Sequence, residues 1–294
     1  MLEVELKFQI PPSHQKQIYQ LFLSKNAHPI SLCAQYYDTP ECHLAQQHIS
    51  LRQRLEGTHW IQTLKAPSGH HLERFELEID LGELDHSALD LNIYKDHPQA
   101  KKILHQVLGK QVQKLSKQFE TNVERLVYVV HYNRAEIEVS LDRGEISHKD
   151  QTLAIYEIEF ELKQGSIQDL IKFIQPWVKQ YHLWLDVRSK AQRGDLLAQD
   201  LKIAPAQFAT PLQLDKKDST DSALKKIVNN TLQHLLPNVT AISARQYNSE
   251  HVHQTRVAIR RLRSALRVFG DWSTDVDPDW QEQLTTLFRQ LGST

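Results

Sequence analysis

The chain has 294 residues, of which 35 are Lys or Arg and 36 are Asp or Glu, and its formal net charge is −1. This balance gives no global attraction to polyanions, so we expect no sequence-specific nucleic-acid partner. Two cysteines, Cys33 and Cys42, predict no disulfide framework. We find neither a membrane-spanning apolar run nor a signal peptide in the sequence, so we expect no membrane partner and take the cytoplasm as the default location.

The first predicted element is a β-strand over residues 2–10, in which apolar and polar side chains alternate. Glu3, Glu5 and Lys7 lie on one face, and the apolar residues lie on the other. For a single strand of this kind, a charged face exposed to water is the usual interpretation. The recurrence of the pattern along the chain favours a different one.

Strands with one charged face follow in chain order. Acidic alternation returns at residues 74–81, 136–142 and 155–163, and a basic counterpart lies at residues 51–55. Two like charges about 4 Å apart repel by roughly 1 kcal/mol in water and about 4 kcal/mol at an effective dielectric near 20, so neighbouring acidic strands need neutralising groups. Segregated acidic and basic strands therefore suit a site where carboxylates bind divalent cations and Arg or Lys groups bind phosphate.

Helical spacing of apolar residues interrupts the strands in three places, near Ser13, around Ile103 and after Gly165. Such helices would cover the apolar backs of the strands. The expected architecture is α+β, with a mostly antiparallel sheet that is closed or strongly curved and turns its charged faces inward.

The sequence pattern changes after residue 201. Residues 202–219 are expected to form a linker, and residues 220–294 show helical periodicity. One predicted helix spans residues 250–269 and carries a basic stripe without acidic partners four residues away, which favours an anionic partner over an ordinary solvated face. The stripe consists of His253, Arg256, Arg260, Arg263 and Arg267.

The motifs of residues 1–201 occur in an order that resembles one known family. Glu3-x-Glu5-x-Lys7 is similar to the ExExK signature of the CYTH superfamily, the triphosphate tunnel metalloenzymes. Further matching segments follow in the expected order at residues 36–40, 51–54, 63–65, 74–78, 119–125, 140–144, 157–161 and 189–193. The ordered set carries the resemblance, since ExExK alone occurs by chance in charged strands.

The CYTH resemblance implies an eight-stranded antiparallel β-tunnel with covering helices that binds a triphosphate with Mg²⁺ or Mn²⁺. The implied metal-binding residues are Glu3, Glu5, Glu159 and Glu161. The implied phosphate-binding residues are Lys7, Arg52, Arg54, Lys65, Arg125, Lys190 and Arg193. The residues implied to line the lumen or to reach a second metal are Glu76, Glu78, Glu136 and Glu138. The foremost catalytic candidates are Glu5, Lys7, Arg52, Arg54 and Glu159.

The run from His253 to Phe269 reads H-x-x-R-V-x-x-R-R-L-R-x-x-L-x-x-F and resembles the start of a CHAD domain. That family implies binding of long-chain polyphosphate by the basic stripe. A complete CHAD domain is longer than residues 220–294, so we expect a truncated, α-helical CHAD-like segment.

Together the resemblances imply a divalent-metal-dependent inorganic triphosphatase, which hydrolyses tripolyphosphate to pyrophosphate and orthophosphate through attack by a metal-activated water. Two alternatives stay open. One is another enzyme on the same tunnel, either a class IV-type adenylyl cyclase or an organic triphosphatase. The other is a non-catalytic polyphosphate-binding protein. The lack of a Walker-type glycine loop in the sequence weighs against a nucleotide-driven ATPase.

Overall fold

The computed structural model describes residues 4–67, 74–83 and 88–292. The chain divides into two compact units, Met1–Leu201 and Lys202–Thr294. We call them the first and second units and describe each by itself.

The first unit is built on one antiparallel sheet. In the described residues its nine strands are β1 (Glu5–Gln9), β2 (His28–Asp38), β3 (Ser50–Glu56), β4 (His59–Pro67), β5 (Arg74–Glu83), β6 (Ser116–Tyr132), β7 (Ala135–His148), β8 (Gln151–Gln164) and β9 (Trp184–Leu185). Their order in the sheet is β5-β4-β3-β2-β6-β7-β8-β1-β9.

The predicted strand count of eight was wrong. The ninth strand, β9, has only two residues, and it pairs with β1 through Leu185 opposite Phe8 and Trp184 opposite Gln9. Two residues are too few to show the alternation that identifies a strand from sequence.

Where the structure describes the first unit, five α-helices accompany the sheet: α1 (Pro12–Ser24), α2 (His43–Gln46), α3 (Pro98–Leu108), α4 (Ile167–Tyr181) and α5 (Lys190–Ala198). The three helices predicted from apolar spacing are confirmed as α1, α3 and α4. Helices α2 and α5 were not predicted.

The apolar backs of the strands form the core against these helices. Ile18 and Phe22 of α1 are buried with Phe160 of β8, in a cluster that also includes α4. Leu104 of α3 packs in a separate cluster with Leu64 of β4. Each such side chain contributes about 1.5–3 kcal/mol when fully buried. The outer face is therefore the apolar face, as the alternating pattern predicts.

Helix α5 lies on the opposite, inner face of the sheet. Its residue Ala191 packs against an apolar cluster at one end of the strands, which includes Tyr36 and Phe119. A side-chain carbon on Gly194 would come within 2.1 Å of the Phe119 ring, so only glycine fits this contact. Helix α5 therefore covers the inner face at that end.

The sheet curves strongly. Burial among the surrounding walls and repulsion from Glu159 raise the pKa of Glu5 on β1, and Lys65 on β4 is close enough to oppose that shift. Six positions separate β1 from β4 in the strand order. The two ends of the sheet must therefore face each other, although no backbone ladder joins β5 to β9 within the described residues.

The second unit contains α6 (Thr220–Ser243), α7 (Ser249–Phe269) and α8 (Trp280–Gln290). Leu235 of α6 is buried with Ala258 and Ile259 of α7, and α8 packs against the same cluster. In the described part of the chain, no helix has the length and apolar character that crossing a membrane requires.

Candidate functional site

The inner face carries its charges in three rows that run across neighbouring strands. Each row joins one residue from β1, one from β8 and one from β7 by direct register. The first row, nearest to α5, is Gln9, Glu157 and Asp142. The middle row is Lys7, Glu159 and Ser140. The outer row is Glu5, Glu161 and Glu138.

Lys190 lies at the centre of the charged cluster. Its Nζ is 2.6 Å from Asp142 Oδ2, 2.6 Å from Glu157 Oε1 and 2.9 Å from Glu159 Oε1. It is the first residue of α5, whose preceding residue Ser189 caps the helix by accepting a hydrogen bond from the backbone N–H of Gln192. The capped helix end therefore fixes where the ammonium group is placed.

Two arginines complete the cluster. Arg125 of β6 donates from Nε and Nη2 to the two oxygens of Asp142, at 2.7 and 2.8 Å, and also pairs with Glu159. Arg193 of α5 donates from Nη2 to Glu157 Oε2 at 2.5 Å. Charge-assisted, bidentate contacts of this type are among the stronger hydrogen bonds in proteins.

The cluster strongly favours the charged forms of its members. Burial by itself would raise the pKa of Glu157 and Glu159, but Lys190 and the other cations outweigh burial and hold the pKa of both carboxyls well below its usual range. Burial by itself would lower the pKa of Lys190, but Glu157, Glu159 and Asp142 raise it well above its usual value. At neutral pH the cluster therefore contains charged groups of both signs.

Carboxylate oxygens of Asp142, Glu157 and Glu159 all lie within 4.8 Å of one another, so this set could hold a metal ion. Sequence reasoning assigned only Glu159 of these three. The signal for Asp142 and Glu157 was available, because the two-residue period of β7 and β8 puts them on the same face as Glu138 and Glu161.

The outer row has a different balance of charge. Lys163 pairs with Glu161 at 2.6 Å and with Glu138 at 3.4 Å. Glu5 lies opposite Glu161 and, among the described residues, makes no ion pair. Glu138 and Glu161 thus share the ammonium group of Lys163, whereas the charge of Glu5 is opposed by Lys7, Lys65 and Lys190 without a direct ion pair in the described part of the chain.

A basic wall lies on β3 and β4. Arg52 is 3.5 Å from Glu78, and Arg54 pairs with Glu56 and lies 3.9 Å from Glu78. The Nε atoms of both arginines are buried without a hydrogen-bond partner among the described residues. On the same wall, Lys65 pairs with Glu76 at 2.8 Å. The side chains of Arg52 and Arg54 are 14% and 19% exposed, so their guanidinium groups remain partly accessible to an anion.

Lys7 has a different neighbour from the other cations. Its Nζ donates to the backbone carbonyl of Arg188, directly before the cap of α5. Asp186, which sequence reasoning missed, accepts from Arg188 Nη2 at 2.9 Å and from Gln9 Nε2 at 3.1 Å. These contacts fasten the start of α5 to β1.

Glu3, a predicted metal ligand, lies outside the described residues. Among the predicted carboxylates of β7, Glu136 does not lie within the charged rows. Glu136 is 3.9 Å from His131, at the end of β7 farthest from α5.

The side chains of the basic stripe on α7 lie in two different environments. Arg256 and Arg263 lie over the Phe288 ring of α8, with guanidinium carbons 5.1 and 5.8 Å from its centroid. His253, Arg260 and Arg267 are exposed. An anion approaching α7 would therefore meet these three side chains first.

Comparison with known proteins finds two family matches. The family model of the CYTH domain matches residues 1–194, and that of the CHAD domain matches residues 226–294. An inorganic triphosphatase from Haemophilus influenzae is 32% identical over 204 residues, which is 66% of this chain and 54% of that protein. The chain therefore spans about half the length of this relative.

Similar solved structures include two that are named as putative cyclases. One is a putative adenylate cyclase from Bacillus halodurans, which is 19% identical with a TM-score of 0.46 and covers 65% of this chain and 96% of its own. The other is a putative adenylyl cyclase from Hippeastrum, described as revealing a dominant triphosphatase activity. It is 15% identical with a TM-score of 0.45, over 69% of this chain and 98% of its own.

Proposed function

Because the chain belongs to the CYTH family, we propose that its first unit is a divalent-metal-dependent inorganic triphosphatase that converts tripolyphosphate to pyrophosphate and orthophosphate. The observation that carries the proposal is the inner face itself, where a basic wall carrying Arg52, Arg54 and Lys65 faces acidic rows across a curved sheet. The inorganic triphosphatase of Haemophilus influenzae supports the choice of substrate.

The basic groups would bind the phosphate chain from two sides. Arg52, Arg54 and Lys65 lie on one wall, and Arg125, Lys190 and Arg193 lie around the first row. Guanidinium groups match phosphate oxygens in a bidentate manner, and an ammonium acts as a compact point charge. Together they would cancel the charge that otherwise repels a nucleophile and stabilise the negative charge that develops on the departing pyrophosphate.

The acidic rows fit a hard divalent cation. Carboxylate oxygens are the ligands that Mg²⁺ and Mn²⁺ prefer. Glu5, Glu159 and Glu161 would hold the ion, and Glu159 also belongs to the set of three carboxylates whose oxygens lie within 4.8 Å of one another. When bound, the ion would neutralise phosphate oxygens and lower the pKa of a water. The chain's own part is to hold the phosphate chain in line for attack on a terminal phosphorus.

The test measures orthophosphate release from tripolyphosphate with Mg²⁺ or with Mn²⁺. We expect release by the wild-type protein and at least a hundredfold lower kcat in a Glu5→Ala/Glu159→Ala variant. Release no greater than in that variant would refute the proposal. Incubation with ATP in the same buffer distinguishes a cyclase, which would instead form cyclic AMP.

For the second unit we propose binding of long-chain polyphosphate by the exposed part of the basic stripe. The match to the CHAD family and the solvent-facing side chains His253, Arg260 and Arg267 support it. Charge reversal of Arg260 and Arg267 to Glu should weaken polyphosphate binding at least tenfold and reduce its salt dependence. Lys216→Glu, outside the stripe, is the matched control, and equal affinity in both variants would exclude the stripe.

A further inference from the structure

A strongly basic segment that the proposed function does not use lies over α3 and the 3-10 turn Gly109–Lys114 that follows it. Residues 97–119 contain five lysines and two histidines and no Asp or Glu. The whole chain, by contrast, has a formal net charge of −1. Positive charge is therefore concentrated in this segment, which lies outside the inner face of the sheet.

The charges of α3 lie on its solvent side. Leu104 and Leu108 are buried in the cluster that α3 forms with β4. Lys101 and Lys102 lie four and three residues before His105, so the three side chains share the opposite face of the helix, and all three are exposed. An amphipathic helix needs a polar side, but it does not need a polar side of a single charge sign.

The lysines at the centre of this surface have no acidic partner. Among the described residues, Lys101, Lys102 and Lys110 make no ion pair. Lys114, farther along the turn, differs because it pairs with Glu41 at 3.1 Å. Uncompensated positive charge attracts anions over about 8 Å of solvent at physiological salt concentration. We call Lys101, Lys102, His105 and Lys110 the α3 patch.

The composition of the α3 patch favours a partner that is a bare chain of phosphates. Residues 97–117, all of which the structure describes, contain no Arg, Trp, Tyr or Phe, so they offer neither a stacking platform for nucleobases nor a guanidinium fork. Of their large apolar side chains only Val112 is exposed, which leaves little to insert into a lipid surface. Lysines act as compact point charges, and inorganic polyphosphate presents a negative charge at every phosphate.

We infer that the α3 patch is a docking surface for long-chain inorganic polyphosphate, which holds part of the chain outside the inner face. The choice of polyphosphate rests on the proposed function, because a hydrolase of tripolyphosphate has a use for holding longer chains. The α3 patch belongs to the first unit and shares no residue with the basic stripe of α7.

Lysine protection tests this in the wild-type protein. Limiting acetic anhydride followed by mass spectrometry measures the acetylation rate of each lysine, with and without long-chain polyphosphate in metal-free buffer. Lys101, Lys102 and Lys110 should react at least threefold more slowly when polyphosphate is present. Lys16 and Lys172, which are exposed on α1 and α4, should change less than twofold. Equal protection of all five lysines would overturn the inference.

Substitution of the patch measures its contribution to affinity. Lys101→Gln/Lys102→Gln/Lys110→Gln should raise the Kd for long-chain polyphosphate at least fivefold and make binding less dependent on salt concentration. The kcat/KM for tripolyphosphate should stay within twofold of wild type, because the patch lies on the outer side of the sheet. The three side chains are exposed, so their replacement should not impair folding.

The matched control removes the same charge from exposed positions of α1 and α4, in Lys16→Gln/Lys172→Gln/Lys179→Gln. Its Kd for polyphosphate should stay within twofold of wild type. Measuring both triple variants in the Arg260→Glu/Arg267→Glu background prevents binding by the second unit from masking the difference. Equal Kd values for the two triple variants would overturn the inference.

Two further probes test the class of partner. Duplex DNA and phosphatidylserine vesicles, at matched concentrations of charge, should bind the wild-type protein at least fivefold more weakly than polyphosphate does. Tighter binding of either probe, lost in the α3 triple variant, would overturn polyphosphate as the partner. Absence of orthophosphate release by the wild-type protein would refute the proposed function, whereas protection of the α3 patch would still support the docking surface.

Discussion

Glu5 illustrates how a residue that is suited to bind a cation can lower the folding stability of the cation-free protein. Desolvation and repulsion from Glu159 raise the pKa of the Glu5 carboxyl, although its side chain still reaches solvent. A group whose pKa is raised on folding stabilises the protein below its unfolded pKa and loses that contribution as pH rises through the folded value. At neutral pH the ionised Glu5 is therefore mildly unfavourable until a cation binds.

We therefore predict that Glu5→Gln raises the Tm of the metal-free protein at neutral pH. The gain should be small, about 1–2 °C, because a partly exposed charge contributes less than about 1 kcal/mol. The same variant should lose most of the increase in Tm that Mn²⁺ gives to the wild-type protein. Thermal unfolding with and without Mn²⁺ measures both effects. A decrease in the metal-free Tm would contradict the prediction, and Glu145→Gln serves as the control.

Arg54 carries the corresponding prediction for the basic wall. Burial and the neighbouring Arg52 lower its pKa, and Glu56 only partly opposes them. An anion bound beside both guanidinium groups would relieve their repulsion. Since a hydrogen bond to a charged group contributes about 1.5–3 kcal/mol, Arg54→Gln should raise the KM for tripolyphosphate at least tenfold with little change in Tm.

The matched control for Arg54 is Arg143, which pairs with Glu124 at 2.7 Å and lies over the Tyr19 ring. Arg143→Gln also removes one paired arginine from a strand. Steady-state kinetics on both variants separate the two positions. Equal KM values for the two variants would show that Arg54 makes no special contact with substrate.

At the level of elements, the position of α5 determines where two of the cations lie, Lys190 and Arg193. Ser189 and Gln192 form a capping box at its start, immediately before Lys190. Removing a Ser cap costs about 1 kcal/mol. Ser189→Ala should therefore lower the Tm by about 2–4 °C and also lower kcat/KM by about threefold to tenfold, because Lys190 loses its fixed position.

Ser166 provides the control for that variant. It caps α4 by accepting from the backbone N–H of Asp169, and α4 packs on the outer face. Ser166→Ala should cost similar stability and leave kcat/KM unchanged. If the two variants lower activity equally, the effect of Ser189 is a general loss of stability.

The elements also show how much of the fold can be predicted from the sequence. Strands with alternating charge and three of the five helices of the first unit follow from side-chain periodicity, since each buries one face against the other. Helix α5 cannot be predicted from side-chain periodicity. It has nine residues, its apolar contacts are Ala191, Leu197 and Ala198, and the surface it covers is the inner face of a sheet assembled from distant segments.

The candidate site was predictable in composition and less so in pairing. Alternation places Glu5, Arg52, Arg54 and Glu159 on the inner face, because a strand must turn its polar side chains together. Which carboxylate meets which cation depends on register between strands and on α5. Alternation also places Asp142 and Glu157 on the inner face, but their ion pairs with Lys190 could not be predicted from it.

At the level of the whole first unit, the ion-pair cluster should govern acid stability. The pKa of Glu157 and Glu159 is held below its ordinary value near 4.3, to about 2 for Glu159. Groups of this kind stabilise the folded state above the unfolded pKa and lose that contribution as pH falls through the folded pKa. Stability should therefore fall between about pH 4.5 and about pH 2, by up to about 1.4 kcal/mol per pH unit for each group.

Urea unfolding over a series of pH values tests this prediction. The Glu159→Gln variant should be less stable at neutral pH, because Arg125 and Lys190 lose a partner, and should show a shallower acid dependence than the wild-type protein. Equal slopes in the two proteins would assign the acid dependence to other carboxylates. Glu5 acts in the opposite direction, since protonation relieves its repulsion from Glu159.

Helix α5 has one more consequence, which concerns the route by which substrate enters and products leave the site. It covers the inner face at the Tyr36 and Phe119 end of the strands, whereas Glu5 of the outer row is exposed. We therefore expect substrate to enter and products to leave past the outer row. Under the proposed function we expect a longer phosphate chain to enter by one terminus and keep its remainder outside, so that it is shortened from its ends rather than cut at internal bonds.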